Sequence, residues 1–224
     1  MRLWLKHNGL SVFFLVLFLG ALAGQSLVGQ RVFNEEQVQH GAEPVSYARY
    51  LVSSHFGSAV LENWQSEYLQ FTLFILATVW LIQRGSNESK PPADVGLESD
   101  QKQLVGAHAQ QNSPRWAKVA GWRRRLYENS LLLVMSTIFV AAWAGQSVTA
   151  WSEFNEEERE HGGSAVSWTS YLGNPDFWEK TLQNWQSEFL AVGTMAVFTI
   201  YLRQRGSPES KPVGASHDQT GTSG

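Results

Sequence analysis

The stretch NWQSEYLQFTLFILATVWLIQRGS, residues 63–86, returns as NWQSEFLAVGTMAVFTIYLRQRGS, residues 184–207. Each copy opens with amides, an indole and a carboxylate, runs through about fourteen mostly apolar residues, and closes on a basic QRGS. Flanking motifs obey the same spacing. AGQS begins at Ala23 and Ala144, FNEE at Phe33 and Phe154, and ESKP at Glu88 and Glu209, so every pair stands 121 residues apart without a gap. Repeats of this kind set the architecture and are read first. The chain reads as a two-helix unit present twice, over residues 1–91 and 126–212, joined by a linker over 92–125 and followed by a tail over 213–224.

The 224 residues have a mean hydropathy of −0.21, which suits a soluble protein, but the apolar residues are not spread evenly. They gather in runs at 10–28, 64–82, 131–150 and 185–202. A helix needs about 20 apolar residues to cross a hydrocarbon core of about 30 Å. The first and third runs meet that length. The second and fourth reach it when they include NWQSE, which sets Trp64 and Trp185 at headgroup depth. The expected fold is an all-α membrane protein: four transmembrane helices arranged as two helical hairpins, parallel repeats of one another, with helical extensions outside the membrane. A cleaved leader is the competing reading of the N-terminus, because Lys6 precedes an apolar run ending in Ala21-Leu22-Ala23. The recurrence of AGQS at Ala144 argues against it.

Orientation follows from charge. Lys and Arg crowd the termini and the linker, while only Arg31, Arg49, Arg159 and Lys180 fall between the paired runs. The positive-inside rule then puts both termini in the cytoplasm and the acidic inter-helix segments outside. Those segments are structured by their chemistry. FNEEQVQHG and FNEEEREHG continue the preceding helix and stop at Gly41 and Gly162, which suit a left-handed cap. Ser46 and Ser167 are placed to cap short surface helices. Asn174-Pro175 marks the start of the helix that enters the second NWQSE.

Near the outer ends of the apolar runs lie Gln25, Ser26, Asn63, Trp64, Gln65 and Glu67, with Gln146, Ser147, Asn184, Trp185, Gln186 and Glu188 as their counterparts. These form a candidate polar collar, which would either fix helix register by hydrogen bonds or hold a small polar solute. Gly20 with Gly24, and Ala141 with Gly145, have the four-residue spacing that favours close helix packing in lipid. Glu36 with His40, and Glu157 with His161, stand four apart on a helical face, where a carboxylate and an imidazole can share a divalent metal, and the two copies can close one site around a pseudo-two-fold axis with Glu35, Glu156, Glu67 or Glu188 nearby. A solvated pair at a helix end is the competing reading. His55 is not expected to join them, because its counterpart is Asp176.

The linker begins polar and aperiodic, as is the tail, and both compositions read as disordered. It ends on PRWAKVAGWRRR, in which Arg115, Trp116, Lys118, Trp122, Arg123, Arg124 and Arg125 suit anionic lipid headgroups. A single basic cluster in a chain of net charge −3 does not point to nucleic acid. No nucleophile-base pattern, phosphate loop or H-E-x-x-H is present, and there is no cysteine, so neither an enzyme nor a cofactor beyond a divalent metal is expected. The expected partners are the bilayer and a protein partner or a second copy of the chain.

The AGQS, FNEE, HG, V-S-x-x-x-Y-L, NWQSE and RQRGSxESK pattern resembles an uncharacterised family of small bacterial membrane proteins, classed as a domain of unknown function. The resemblance covers both halves and implies a bacterial inner-membrane location. It supplies no catalytic or binding residue.

Overall fold

A computed structural model describes residues 2–221, and among these the chain is helical without a strand. The helices are α1 (Arg2–Gln39), α2 (Tyr47–Leu51), α3 (Ser54–Trp80), α4 (Trp122–Glu128), α5 (Ser130–Glu160), α6 (Trp168–Tyr171) and α7 (Pro175–Tyr201). Three short 3-10 turns, Pro92–Asp94, Gly106–His108 and Arg115–Ala117, punctuate the connection from α3 to α4. Two of the helices, α1 from Leu3 and α5, are long and apolar enough to cross a membrane. The helices α3 and α7 are 27 residues each but do not reach that level, because Asn63, Gln65, Glu67 and Gln70, or Asn184, Gln186 and Glu188, dilute their apolar runs.

Helix ends follow local chemistry. Both α1 and α5 run past their apolar segments and end in a Schellman arrangement: the Ala42 N–H donates to the Gln37 carbonyl at 2.8 Å and Gly41 to Val38 at 3.1 Å. Gly163 to Glu158 at 2.7 Å and Gly162 to Arg159 at 3.1 Å repeat it. Gly41 and Gly162 have φ of 79° and 77°, the left-handed conformation that glycine takes without a Cβ penalty. At 38 residues, α1 is about 57 Å long at 1.5 Å per residue, roughly twice a hydrocarbon core. The Ser46 and Ser167 hydroxyls accept from the N–H groups of Arg49 and Ser170 and cap α2 and α6. The helix α7 starts at Pro175, where the missing N–H costs nothing.

The chain divides into two compact units, Met1–Leu61 with Gly145–Asn174, and Glu62–Ala144 with Pro175–Gly224. In the first, the small helices α2 and α6 are anchored by tyrosines: Tyr50 and Tyr171 are buried. The Tyr50 ring packs between Phe33 and Phe56, with centroids 5.7 and 5.4 Å away, and Tyr171 meets Phe154 at 5.3 Å. The Tyr50 hydroxyl lies where a Cβ at position 29 would stand, so Gly29 is required for that close approach. The segments leading into α2 and α6 are clamped by asparagines. Asn34 accepts from the Val45 N–H at 2.8 Å and donates to its carbonyl at 3.1 Å, and Asn155 makes the same two bonds to Val166 at the same distances.

The second unit has an aromatic knot around Trp143, whose ring lies 6.2, 6.1 and 5.9 Å from Phe177, Trp178 and Trp185. It also holds residues 213–221, which composition alone reads as disordered. They turn around Lys211, a buried ammonium that donates to the carbonyls of Gly85 at 2.6 Å, Ser216 at 3.0 Å, His217 at 3.1 Å and Gln219 at 3.0 Å.

Candidate functional site

In the first unit the ends of α1 and α5 and the start of α3 enclose a cavity of about 310 Å³. Five glutamates and three histidines line it: Glu36, Glu153, Glu156, Glu157, Glu160, His40, His55 and His161, with Phe33 and Gln37. All four residues that the sequence offered for a metal, Glu36, His40, Glu157 and His161, are therefore in one cleft. The His40 and His161 rings stand 6.0 Å apart between centroids. His40 Nδ1 faces Glu160 Oε2 at 3.3 Å. His161 Nδ1 lies 2.8 Å from the Glu157 carbonyl, which can only accept, so Nδ1 carries the proton and Nε2 keeps its lone pair when the ring is neutral. That is the tautomer a metal-ligating or proton-accepting histidine uses.

His55 differs from expectation. Its counterpart Asp176 argued against a role, yet it lines the cleft, with Nε2 3.9 Å from Glu153 Oε1 and its ring 5.2 Å from Phe33. Sequence comparison of the two copies could not find it, because only one copy of that position faces the cleft. Glu156, expected near the site, lines the cleft, whereas Glu153 and Glu160 were missed as members although the acidic run that carries them was visible. Among the described residues, no three acidic, histidine or cysteine side chains are close enough together to hold a metal ion. The cleft as it stands concentrates negative charge and presents imidazoles; holding a cation by three protein ligands requires its side chains to rotate inward. Its field is felt at Tyr50, whose hydroxyl pKa is raised by burial first and then by Glu153 and Glu36.

The collar residues divide differently. In the first unit Ser26 shares a 2.7 Å hydrogen bond with the Tyr47 hydroxyl, and Trp168 Nε1 donates to Ser147 Oγ at 3.2 Å. Gln146 is buried and neither atom of its amide meets a partner, whereas Gln25 is exposed. In the second unit Gln65 is buried, accepts from Trp185 Nε1 at 2.7 Å and donates to the Glu62 carbonyl at 3.1 Å. Asn184 donates to Glu62 Oε1 at 2.7 Å. Gln186 and Glu67 are exposed and Glu188 half-buried, while Asn63 and Trp64 lie on the exposed side of α3. Most buried collar groups thus spend their hydrogen bonds on the chain itself. Glu62 adjoins the NWQSE motif, whereas Tyr47 and Trp168 stand 21 residues from the serines they meet and carry no sequence signal for those bonds.

Of the basic segment, Arg124 is paired with Asp100 at 3.3 Å and Glu128 at 3.0 Å, and the Arg123 guanidinium lies 5.6 Å above the Trp122 ring. Trp116 and Trp122 are exposed. Of the four small residues, Gly145 lies against the Leu61 side chain, Ala141 is exposed, and a Cβ on Gly20 or Gly24 would meet nothing within 4 Å.

A second cavity, of about 260 Å³, lies in the second unit between Phe71 and Phe74 of α3 and Val192 and Met195 of α7, with Glu88 and Glu209 at its edge. Glu88 Oε1 is buried without a hydrogen-bond partner. The Glu88 carboxyl pKa is raised, by burial first and by Glu209 second. A carboxyl whose pKa is higher folded than unfolded contributes stability below its unfolded value, and that contribution is lost as pH rises through the folded value. Glu88→Gln is therefore expected to raise the thermal midpoint at pH 7 and to leave it unchanged near pH 4, measured in one detergent. A midpoint at pH 7 equal to or below wild type would contradict a strained carboxylate.

The family model described as Domain of unknown function (DUF6766) matches residues 1–222, and the chain belongs to that family. No curated protein and no solved structure matches it.

Proposed function

We propose that this member of a family of unknown function is a multi-pass protein of the bacterial inner membrane, crossing it four times with both termini in the cytoplasm. It acts as a structural or protein-interaction component, with no enzymatic activity. The observation that supports this is the fate of the collar: Ser26, Gln65 and Ser147 hydrogen-bond to Tyr47, Trp185 and Trp168 of the chain, as register-fixing groups do and a solute site does not. The α3 and α7 polar residues that lower their hydropathy include Gln65, which faces protein, so these helices can span in company. The two hairpins are parallel copies, each with its acidic helical extension outside.

The span count has a direct test, since the chain has no cysteine. Ala42→Cys, Asn112→Cys and Ser164→Cys are labelled with a membrane-impermeant thiol reagent in intact cells. Four spans expose 42 and 164 and protect 112. With α1 and α5 as the only spans, 112 would label and 164 would not.

A second reading is favoured by the convergence of Glu36, His40, Glu157 and His161 on one cleft: a divalent cation bound at the outer face, drawn in by five glutamates. Untagged protein in nanodiscs, equilibrated with zinc, manganese or nickel and analysed by mass spectrometry, is expected to hold about one metal per chain. The Glu36→Gln, His40→Ala, Glu157→Gln, His161→Ala variant is expected to hold none. Metal-free wild type after equilibration removes this reading and leaves the structural one.

A further inference from the structure

The cavity between α3 and α7 is lined by matched positions. Its eight lining residues fall into four pairs that stand 121 positions apart, among them Phe71 with Val192, Phe74 with Met195 and Glu88 with Glu209. The two ESKP turns that carry the glutamates are built alike and tied together. Ser86 Oγ accepts from the Glu88 N–H at 3.1 Å, and Ser207 Oγ from the Glu209 N–H at 3.2 Å. Asn87 Nδ2 donates at 3.1 Å to the carbonyl of Pro208, its counterpart 121 residues on. Matched turns thus meet at one edge of the cavity and bring two carboxyls to it.

Those carboxyls carry charge that the chain does not neutralise. The lysines of the same motifs are spent elsewhere, Lys90 on the Gly96 carbonyl and Glu98, and Lys211 on four carbonyls. Among the described residues no Lys or Arg pairs with Glu88 or Glu209, and the buried Glu88 Oε1 has no hydrogen-bond partner. Beside them the walls are apolar and uncovered, with Phe71 46% and Met195 44% exposed.

We propose that this cavity binds a small organic ammonium ion, a protonated amine with an apolar body, its nitrogen at Glu88 and Glu209 and its body among Phe71, Phe74, Val192 and Met195. An ammonium N–H supplies the donor that Glu88 Oε1 lacks, as a charge-assisted bond. Its charge offsets the repulsion between the two carboxylates, and the faces of the phenyl rings attract cations. At about 260 Å³ the cavity falls below the roughly 300–1,000 Å³ of sites for drug-sized ligands, which points to a simple aryl- or alkylamine. Other occupants fit less well. A calcium ion takes about six to eight oxygen ligands, and the cavity offers two carboxyls and the Gln70 amide. A lipid acyl chain would cover the walls and leave the carboxylates uncompensated. A phosphatidylethanolamine headgroup would bring its own phosphate to the two glutamates. The site is made by α3, α7 and the two turns alone, so it does not rest on the number of membrane spans.

The test is equilibrium dialysis of radiolabelled phenethylammonium at neutral pH against the full-length chain in phosphatidylcholine nanodiscs, with uptake by empty discs subtracted. Saturable binding of one ion per chain is expected, about tenfold or more weaker in Glu88→Gln and also weakened in Glu209→Gln. Glu209 is exposed, so its replacement leaves the fold intact, and thermal midpoints at or above wild type show that both variants are folded. Phenethyl alcohol, the same body without the charge, and methylammonium, the charge without the body, are expected to leave the bound ion in place. Uptake no greater than that of empty discs overturns the proposal, as does uptake that both glutamine variants retain in full. Displacement by phenethyl alcohol overturns it in favour of a purely apolar pocket. Displacement by methylammonium or magnesium overturns it in favour of a bare cation site, and displacement by phosphatidylethanolamine in the discs overturns it in favour of a lipid headgroup.

Discussion

Lys211→Met is expected to release residues 213–221 and to raise amide exchange there and at residues 84–86 by tenfold or more, with the middle of α7 unchanged. The Lys211 ammonium is 1% exposed and reaches four carbonyls, of Gly85, Ser216, His217 and Gln219. Three protons serve four acceptors, so at least one bond is shared. Burying an ammonium costs several kcal/mol unless such bonds compensate it. Burial, followed by repulsion from Arg203, depresses its pKa.

Methionine has similar reach but no donor, and it leaves the carbonyls unpaired at about 1–3 kcal/mol for each that stays buried. Opening the tail to water is the cheaper outcome. Lys90, the matching lysine of ESKP, is the internal control. Among the described residues it reaches the Gly96 carbonyl at 3.2 Å and Glu98 at 3.3 Å, with its side chain 30% exposed. Lys90→Met is expected to change exchange by less than threefold. Equal responses of the two variants would mean that the ammonium is not what holds the tail.

The second large effect is expected at the asparagine clamps. Asn34→Ala and Asn155→Ala each remove an acceptor from a valine N–H and a donor from its carbonyl. The carbonyls have reserves: Gln30 Nε2 donates to Val45 at 3.1 Å, and Trp151 Nε1 to Val166 at 2.8 Å. The N–H groups lose the side-chain acceptor that the clamp supplied, so the cost falls on them, about 1–3 kcal/mol per site. Asn155, 4% exposed, is expected to cost more than the half-buried Asn34, which water already reaches. The measurement is exchange of the α2 and α6 peptides, residues 43–52 and 164–173. A double variant as protected as wild type in both would show that Tyr50 and Tyr171 alone hold the small helices.

The sequence by itself determined the helix ends. Gly41 and Gly162, Ser46 and Ser167, and Asn174-Pro175 stop, cap and start helices through chemistry confined to a few neighbouring residues, and the structure has each where the sequence puts it. The long apolar runs of α1 and α5 were legible for the same reason, since length and composition are local properties. Convergence of Glu36, His40, Glu157 and His161 on one cleft was legible as two matching pairs that could close a single site, but not with His55, Glu153 and Glu160 beside them.

Tertiary structure alone decided which copy of an identical motif does what. Gln65 and Gln186 stand in the same NWQSE, yet one is buried against Trp185 and the other is exposed. Lys90 and Lys211 stand in the same ESKP, yet one is half-solvated and the other enclosed by carbonyls. His55 joins the cleft although its counterpart is an aspartate. Matching sequences impose matching local conformations, but burial and hydrogen-bond partners come from whichever distant segment packs alongside, and that segment differs between the two copies.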